Sequence, residues 1–311
     1  MSKPALLRGL RSGVLVFIVL AATGCSVRQY AVNRLGDALA QSSGGTFASD
    51  DDPDLVKAAA PFSLKLIESL LAESPNHPAL LLSAASGFTE YAYAFVQPEA
   101  DELETTDFSA AQAAHGRAKR LYLRARNYGL RGLAVRHPGF AAALGTDPAQ
   151  AAARADQSDV PLLYWTAAAW SAAIAQAKDE PALIADLPKV EALIDRAVAL
   201  DEAWDHGALH TFLISYESAR SGSGDPAERS RQHFERAVAL SGGRLAAPYV
   251  SYAEAGALRR QQAAEFRRLL EQALAIDADA DPPDRLINLV AQRRARWLLG
   301  RMDELFLNPG T

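Results

Sequence analysis

Residues 205–210, Asp-His-Gly-Ala-Leu-His, put His206 and His210 four apart, on one face of any helix that contains them. Imidazoles at that spacing can hold a metal ion, with Asp205 as a third ligand. The zinc-protease pattern needs glutamate directly after the first histidine, and Gly207 stands there instead. His206 is therefore expected in a turn, His210 against the interior or a groove, and no metal is expected. The acidic run Asp50–Asp54 around Pro53 lacks the oxygen-ligand spacing of a calcium loop. It reads as a helix start, with carboxylates at the positive end of the dipole and proline in the first turn.

Aromatic side chains gather in two stretches, Gly87–Phe95 and Leu162–Trp170. Phe88, Tyr91 and Phe95 share one helical face, and Trp165 and Trp170 lie close along another helix. Such residues pack a core, or they line an apolar pocket with one polar tip each. Glu90, Asp159, Asn288 and Gln292 are polar groups with which a pocket would be furnished. Arg293, Arg294 and Arg296 read as a solvated helix face with Arg296 partly packed. The segment at 221–225, Ser-Gly-Ser-Gly-Asp, lacks the lysine and preceding strand of a phosphate loop and reads as an exposed loop before a helix at Pro226. There is no Gly-x-Ser-x-Gly elbow, no paired cysteines and no catalytic set of carboxylates or nucleophile, so catalytic residues and cofactors are both expected to be none.

The elements that must position these residues are helices. Alanine is abundant, alternating β-branched runs are scarce, and the apolar residues of segments such as Val160–Lys178 recur at helical spacing. The expected fold is all-α. Ala197, Ala237 and Ala273 occupy equivalent places in three helix ends, 40 and 36 residues apart, each preceded by Ile194, Phe234 or Leu270 three positions earlier. The pattern resembles the second half of a tetratricopeptide repeat, with Val190, Ser230 and Phe266 where the first alanine would stand. Stacked helix pairs of this TPR-like kind make a concave surface, which binds more often than it catalyses.

The chain holds one cysteine, Cys25. Lys3, Arg8 and Arg11 precede an apolar run from Val14 to Ala22, which is too short to span a bilayer, and small residues lead to Cys25. This order fits a lipoprotein signal at 1–24, acylation of Cys25, a tether at 25–49 and a helical domain at 50–311. The tether segment from Gln41 to Asp54 is expected to be irregular. Two or three acyl chains would hold the protein to a membrane, the outer one favoured by Ser26. Loss of residues 1–24 takes the formal net charge from -5 to -8 by removing three cations. An exported acidic body argues against nucleic acid as a partner.

Four long segments then appear in order behind the signal: Asp159–Trp170, Leu187–Leu213, Ala247–Glu254 and Asn288–Leu299. Together they resemble the T-component (TatT) family associated with tripartite ATP-independent periplasmic (TRAP) transporters, over most of the mature chain. The resemblance implies a periplasmic lipoprotein of TPR-like helices, a homotrimer, and a cavity or pore through each protomer. It also implies a TRAP-type substrate-binding protein as partner and a hydrophobic small ligand. Tyr91, Tyr164, Trp165, Trp170, His210 and Tyr249, within the matching regions, are the candidate pocket-lining residues. The rival readings are an envelope-assembly scaffold with no small ligand and, on weaker grounds, an enzyme.

Overall fold

A computed structural model describes residues 33–38, 45–177, 179–218, 220–222 and 224–307. Cys25 and the signal segment lie outside the described residues. Among the described residues every regular element is helical. The first long helix, α1 (Pro53–Glu73), starts as its sequence dictates: the Asp52 carboxylate accepts from the N–H groups of Asp54 at 3.1 Å and Leu55 at 3.0 Å, with Pro53 behind it. The segment Gln41–Asp54, expected to be irregular, is helical over 45–48, because Phe47 packs on the core. Ahead of it residues 33–38 are also helical, and His77 Nε2 lies 3.1 Å from the Asn33 carbonyl.

Helix α2 (Pro78–Tyr91) continues through a π-helical stretch, Ala92–Val96, into α3 (Gln97–Leu103). Then comes the longest helix, α4 (Phe108–Arg136), capped by Asp107. Short α5 (Phe140–Thr146) and α6 (Pro148–Ala153) lead to α7 (Val160–Ala175). Helices α2, α4 and α7 form the first core, where Leu80, Leu81, Leu133 and Leu163 have no exposed surface. α4 and α7 approach closely at Gly129 and Gly132. A Cβ on Gly129 would sit 2.1 Å from Thr166 Oγ1, so only glycine admits the contact.

The chain proceeds through α8 (Pro181–Ile184), α9 (Leu187–Asp201), α10 (Trp204–Tyr216), α11 (Pro226–Ser241) and α12 (Ala247–Tyr252). A second π-helical stretch, Ala253–Leu258, follows, then α13 (Ala263–Ala275), α14 (Arg285–Leu299) and α15 (Met302–Leu305). A second core centres on Phe266, Leu269 and Leu270. Ala197, Ala237 and Ala273 are all fully buried, as are Val190 and Phe266, which fits the stacking of helix pairs read from the repeat.

The stack closes on itself. Leu286 and Val290 of α14 pack against the first core. Arg285 Nη1 donates to the Ser49 carbonyl at 2.8 Å, and Arg293 lies 3.6 Å from Asp54 at the head of α1. Arg294 Nη1 meets Asp101 Oδ2 at 2.8 Å. The arginine run is thus no uniform solvated face. Arg296 is exposed, whereas Arg294 is the packed member, because α14 turns that residue toward α3 and the second π-helical stretch.

Candidate functional site

The closed path of helices leaves an inner surface, and its lining begins with a change of helical register. A π-turn inserts one residue into a helix and re-aims the side chains that follow. In the first π-stretch Tyr93 is turned out of the core, 56% exposed, while its neighbours Ala92 and Phe95 stay buried. The second π-stretch presents Glu254 to the same space. Arg294 grips Glu254 at 2.7 Å and Asp101 at 2.8 Å, and its guanidinium lies 4.3 Å over Trp297. Tyr93 feels these charges: burial pushes its hydroxyl up, Glu254 adds to the shift, and Arg294 opposes it.

Glu90 lies three residues before Tyr93 and is open to solvent, yet protein encloses it. Burial, then the charge of Asp205, pushes its carboxyl up to about 7. Groups that solvent reaches while protein surrounds them line a hollow. Asp205 reaches this hollow through strained backbone: Asp205, His206 and Gly207 have φ of 48°, 54° and 87°, three left-handed residues in succession. Strain of this kind collects at functional sites. Burial also raises the Asp205 carboxyl, which His206 offsets and Asp284 reinforces. Tyr164 completes the wall from α7. Its hydroxyl is driven up by burial, then by Asp205, Tyr93 and Glu90. Its ring is held against Trp165, Trp204 and Phe212, with centroids at 4.8, 5.0 and 6.5 Å. The lining therefore mixes aromatic rings with carboxyl groups that burial pushes above their ordinary range, Glu90 to about 7.

The six residues singled out from the sequence do not occupy one place. Tyr164 faces the hollow, and Trp165 packs beside it. Tyr91 is buried against Phe95 at 5.8 Å, its hydroxyl accepting from Arg117 at 3.3 Å. Trp170, 4% exposed, lies between Arg126 and Lys189, whose cations stand 4.9 and 5.6 Å from its ring. Tyr249 packs edge-on to Phe234 in the second core. His210 is buried between α10 and α11, with Nδ1 2.8 Å from His233 Nδ1 and Nε2 3.3 Å from Glu202.

His206 sits in the expected turn, against Arg244 at 3.3 Å. Among the described residues, three metal-ligating side chains share a common point only at Asp101, Glu104 and His115; neither His206 nor His210 belongs to that group. Of the other polar candidates, only Glu90 faces the hollow. Asp159 binds Arg136 and His137 at 3.0 and 2.8 Å. Asn288 accepts from the Ala246 N–H and donates to the Arg244 carbonyl, and Gln292 donates to the carbonyls of Ala273 and Ile276. These three fasten chain turns. Tyr93 and the His233 partner of His210 went unread in the sequence. An aromatic-acidic cluster such as Glu90–Tyr93 was visible, but the π-turn that selects Tyr93 over Tyr91 was not.

The model of a family described as TRAP transporter T-component matches residues 49–306. An uncharacterized protein of Treponema pallidum (strain Nichols) is 30% identical over 307 residues, covering 93% of this chain and 95% of that one.

Proposed function

The chain belongs to the TRAP transporter T-component family, and from that premise we propose that it is a periplasmic accessory subunit that docks the extracytoplasmic substrate-binding subunit and receives a hydrophobic ligand in its hollow. A T-component is an accessory part of a transport system, not a member of a known enzyme class. No helix of the described residues is long and apolar enough to cross a membrane. Attachment falls to Cys25 and its acyl chains, with the outer membrane as the expected site. The observation that carries the reading is the closed helical path whose interior presents Tyr93, Tyr164 and Glu90. Such a wall suits an apolar body with one polar end: the rings take the body, and a protonated Glu90 donates to the tip.

Homotrimer formation is part of the same proposal. Leu55 and Phe62 of α1, with Ile287 of α14, are 57%, 75% and 49% exposed on the helices where the closure occurs. Apolar side chains so placed supply surface for a second copy.

The test is gentle extraction of the full chain from membranes, followed by mass spectrometry of the proteins and small molecules that remain with it. Recovery of a TRAP-type substrate-binding subunit and an apolar molecule is expected, with the molecule lost in a Tyr93→Ala/Tyr164→Ala variant that still folds. Recovery of envelope-assembly proteins alone, with no small molecule, would replace this reading with the scaffold.

A further inference from the structure

Helix α4 carries six arginines and one lysine and no acidic residue, in a chain whose formal net charge is -5. Part of this charge is used internally. Arg117 serves Tyr91, Lys119 pairs with Glu180, and Arg136 pairs with Asp156 and Asp159. A second part is gathered on the outer face. There Arg120, Leu123, Arg124, Asn127, Tyr128 and Arg131 line a cleft of about 360 Å³. We infer that this cleft is a binding site for an extended polyanion bearing phosphate or carboxylate groups, separate from the hollow.

The donors are arranged for it. The Arg124 guanidinium lies 5.3 Å over Phe88, and that of Arg131 lies 5.4 Å over Tyr128. Phe88 and Tyr128 are themselves stacked, 6.0 Å apart and 10° from parallel. Two cations are thus held on one aromatic ledge, which reduces the entropy lost when an anion binds. Arg131 spends one nitrogen on the Pro75 carbonyl at 2.7 Å, and the rest of its fork remains. Asn127 accepts from Arg126 Nε and Nη2 at 3.1 and 3.0 Å through its side-chain oxygen, which leaves its NH₂ as the group to donate. Arg120 is exposed and makes no hydrogen bond or ion pair among the described residues.

Glu68 opposes this field. It accepts from Tyr128 at 2.8 Å and lies 3.6 Å from Arg124. Burial would raise its carboxyl, but Lys65, Tyr128 and Arg124 together hold it below the usual range, so it stays ionised. It partly neutralises Arg124 and leaves Arg120 and Arg131 uncompensated. Eleven residues separate those two, about 16 Å along the helix axis. One phosphate cannot span that distance, whereas a ligand with anionic groups at both ends can.

Two sources offer this chemistry: a free polyanion and the headgroups of an anionic membrane. A linear inorganic polyphosphate and an oligoglutamate, each long enough to span about 16 Å, are titrated into the full chain by calorimetry at low salt. In parallel the chain is sedimented with phosphatidylcholine vesicles and with vesicles containing phosphatidylglycerol. Any acyl anchor acts equally on both vesicle types, so only their difference reports the cleft. Binding of either soluble probe, or enrichment on the anionic vesicles, is expected. It should weaken at least tenfold in Arg120→Gln/Arg124→Gln and severalfold in Arg120→Gln, and it should tighten in Glu68→Gln. Soluble binding alone identifies a free ligand, and vesicle enrichment alone identifies headgroups. Absence of both, or binding that Arg120→Gln and the double variant leave unchanged, overturns the site.

Discussion

The hollow and the outer face of α4 treat charge in opposite ways. In the hollow, Glu90, Asp101 and Asp205 are enclosed, and burial raises all three carboxyl groups. A carboxyl in that position can surrender its charge by taking a proton. Arginine has no such escape, since its guanidinium keeps its proton in proteins. The cations of α4 are accordingly turned to the surface, or laid over rings such as Phe88 and Tyr128, where water and π-faces compensate them. Arg294 is the exception that joins the two regimes: an enclosed arginine, kept charged by Glu254 and Asp101 on either side. The lesson is that the inside of this molecule can adjust its charge to a guest, while its outer groove offers a fixed one.

Four changes break or sharpen that contrast. The largest effect should come from Arg294→Ala, which strands Asp101 and Glu254 without their cation. A stability loss of roughly 3 kcal/mol is expected in urea denaturation. A loss below about 1 kcal/mol would mean that the closing pair acts as an ordinary surface ion pair. Next, Gly129→Ala forces a methyl against Thr166 and should cost about 2 kcal/mol by the same measurement. If polyphosphate or anionic vesicles still bind this variant normally, the outer groove belongs to α4 alone, independent of its seating on α7.

The third change concerns pH. The folded Glu90 carboxyl titrates near 7, against an ordinary value of 4.5, so its contribution to stability is fully present below 4.5 and is lost as pH rises through 7. The His210–His233 pair works in the other sense: burial lowers both, so their contribution is lost as pH falls below their ordinary 6.5. The difference between wild type and Glu90→Gln isolates the carboxyl. It should widen between pH 4.5 and 7.5 in favour of the variant; parallel stability curves would contradict an enclosed Glu90. The smallest effect is that of Arg120→Gln, whose stability should stay within about 0.5 kcal/mol of wild type while anion binding falls. Thermal melting beside the calorimetric titration checks both halves.

Local features of the fold were legible in the sequence. The apolar spacing marked the helices, Asp52 and Pro53 marked the start of α1, and the three aligned alanines are buried as the repeat requires. The site was legible in part. Tyr164 and Glu90 stood out by type. Tyr93 did not, because its position depends on a π-turn, a change of hydrogen-bond register that no residue type in the stretch Tyr91–Phe95 marks. Asp205 was noticed beside a histidine pair, but its route into the hollow depends on left-handed backbone at two non-glycine residues, which helix propensity argues against. The closure was not legible, because it joins Arg294 to Asp101 across the whole body, and neither residue carries a distinguishing local pattern.

That closure also bears on how the chain folds. In an open stack of helix pairs each unit touches only its neighbours, so terminal units fray and refold on their own. Here the bonds from Arg285 to Ser49 and from Arg294 to Asp101 join residues 236 and 193 positions apart. Contacts of such separation form after the segments between them, since the entropy of closing so long a loop must be met first. Once made, they tie the two ends of the stack together, and neither end can fray without first opening the ring. A repeat protein that would otherwise melt piecemeal from its termini is thereby converted into one cooperative unit, with its latch assembled last.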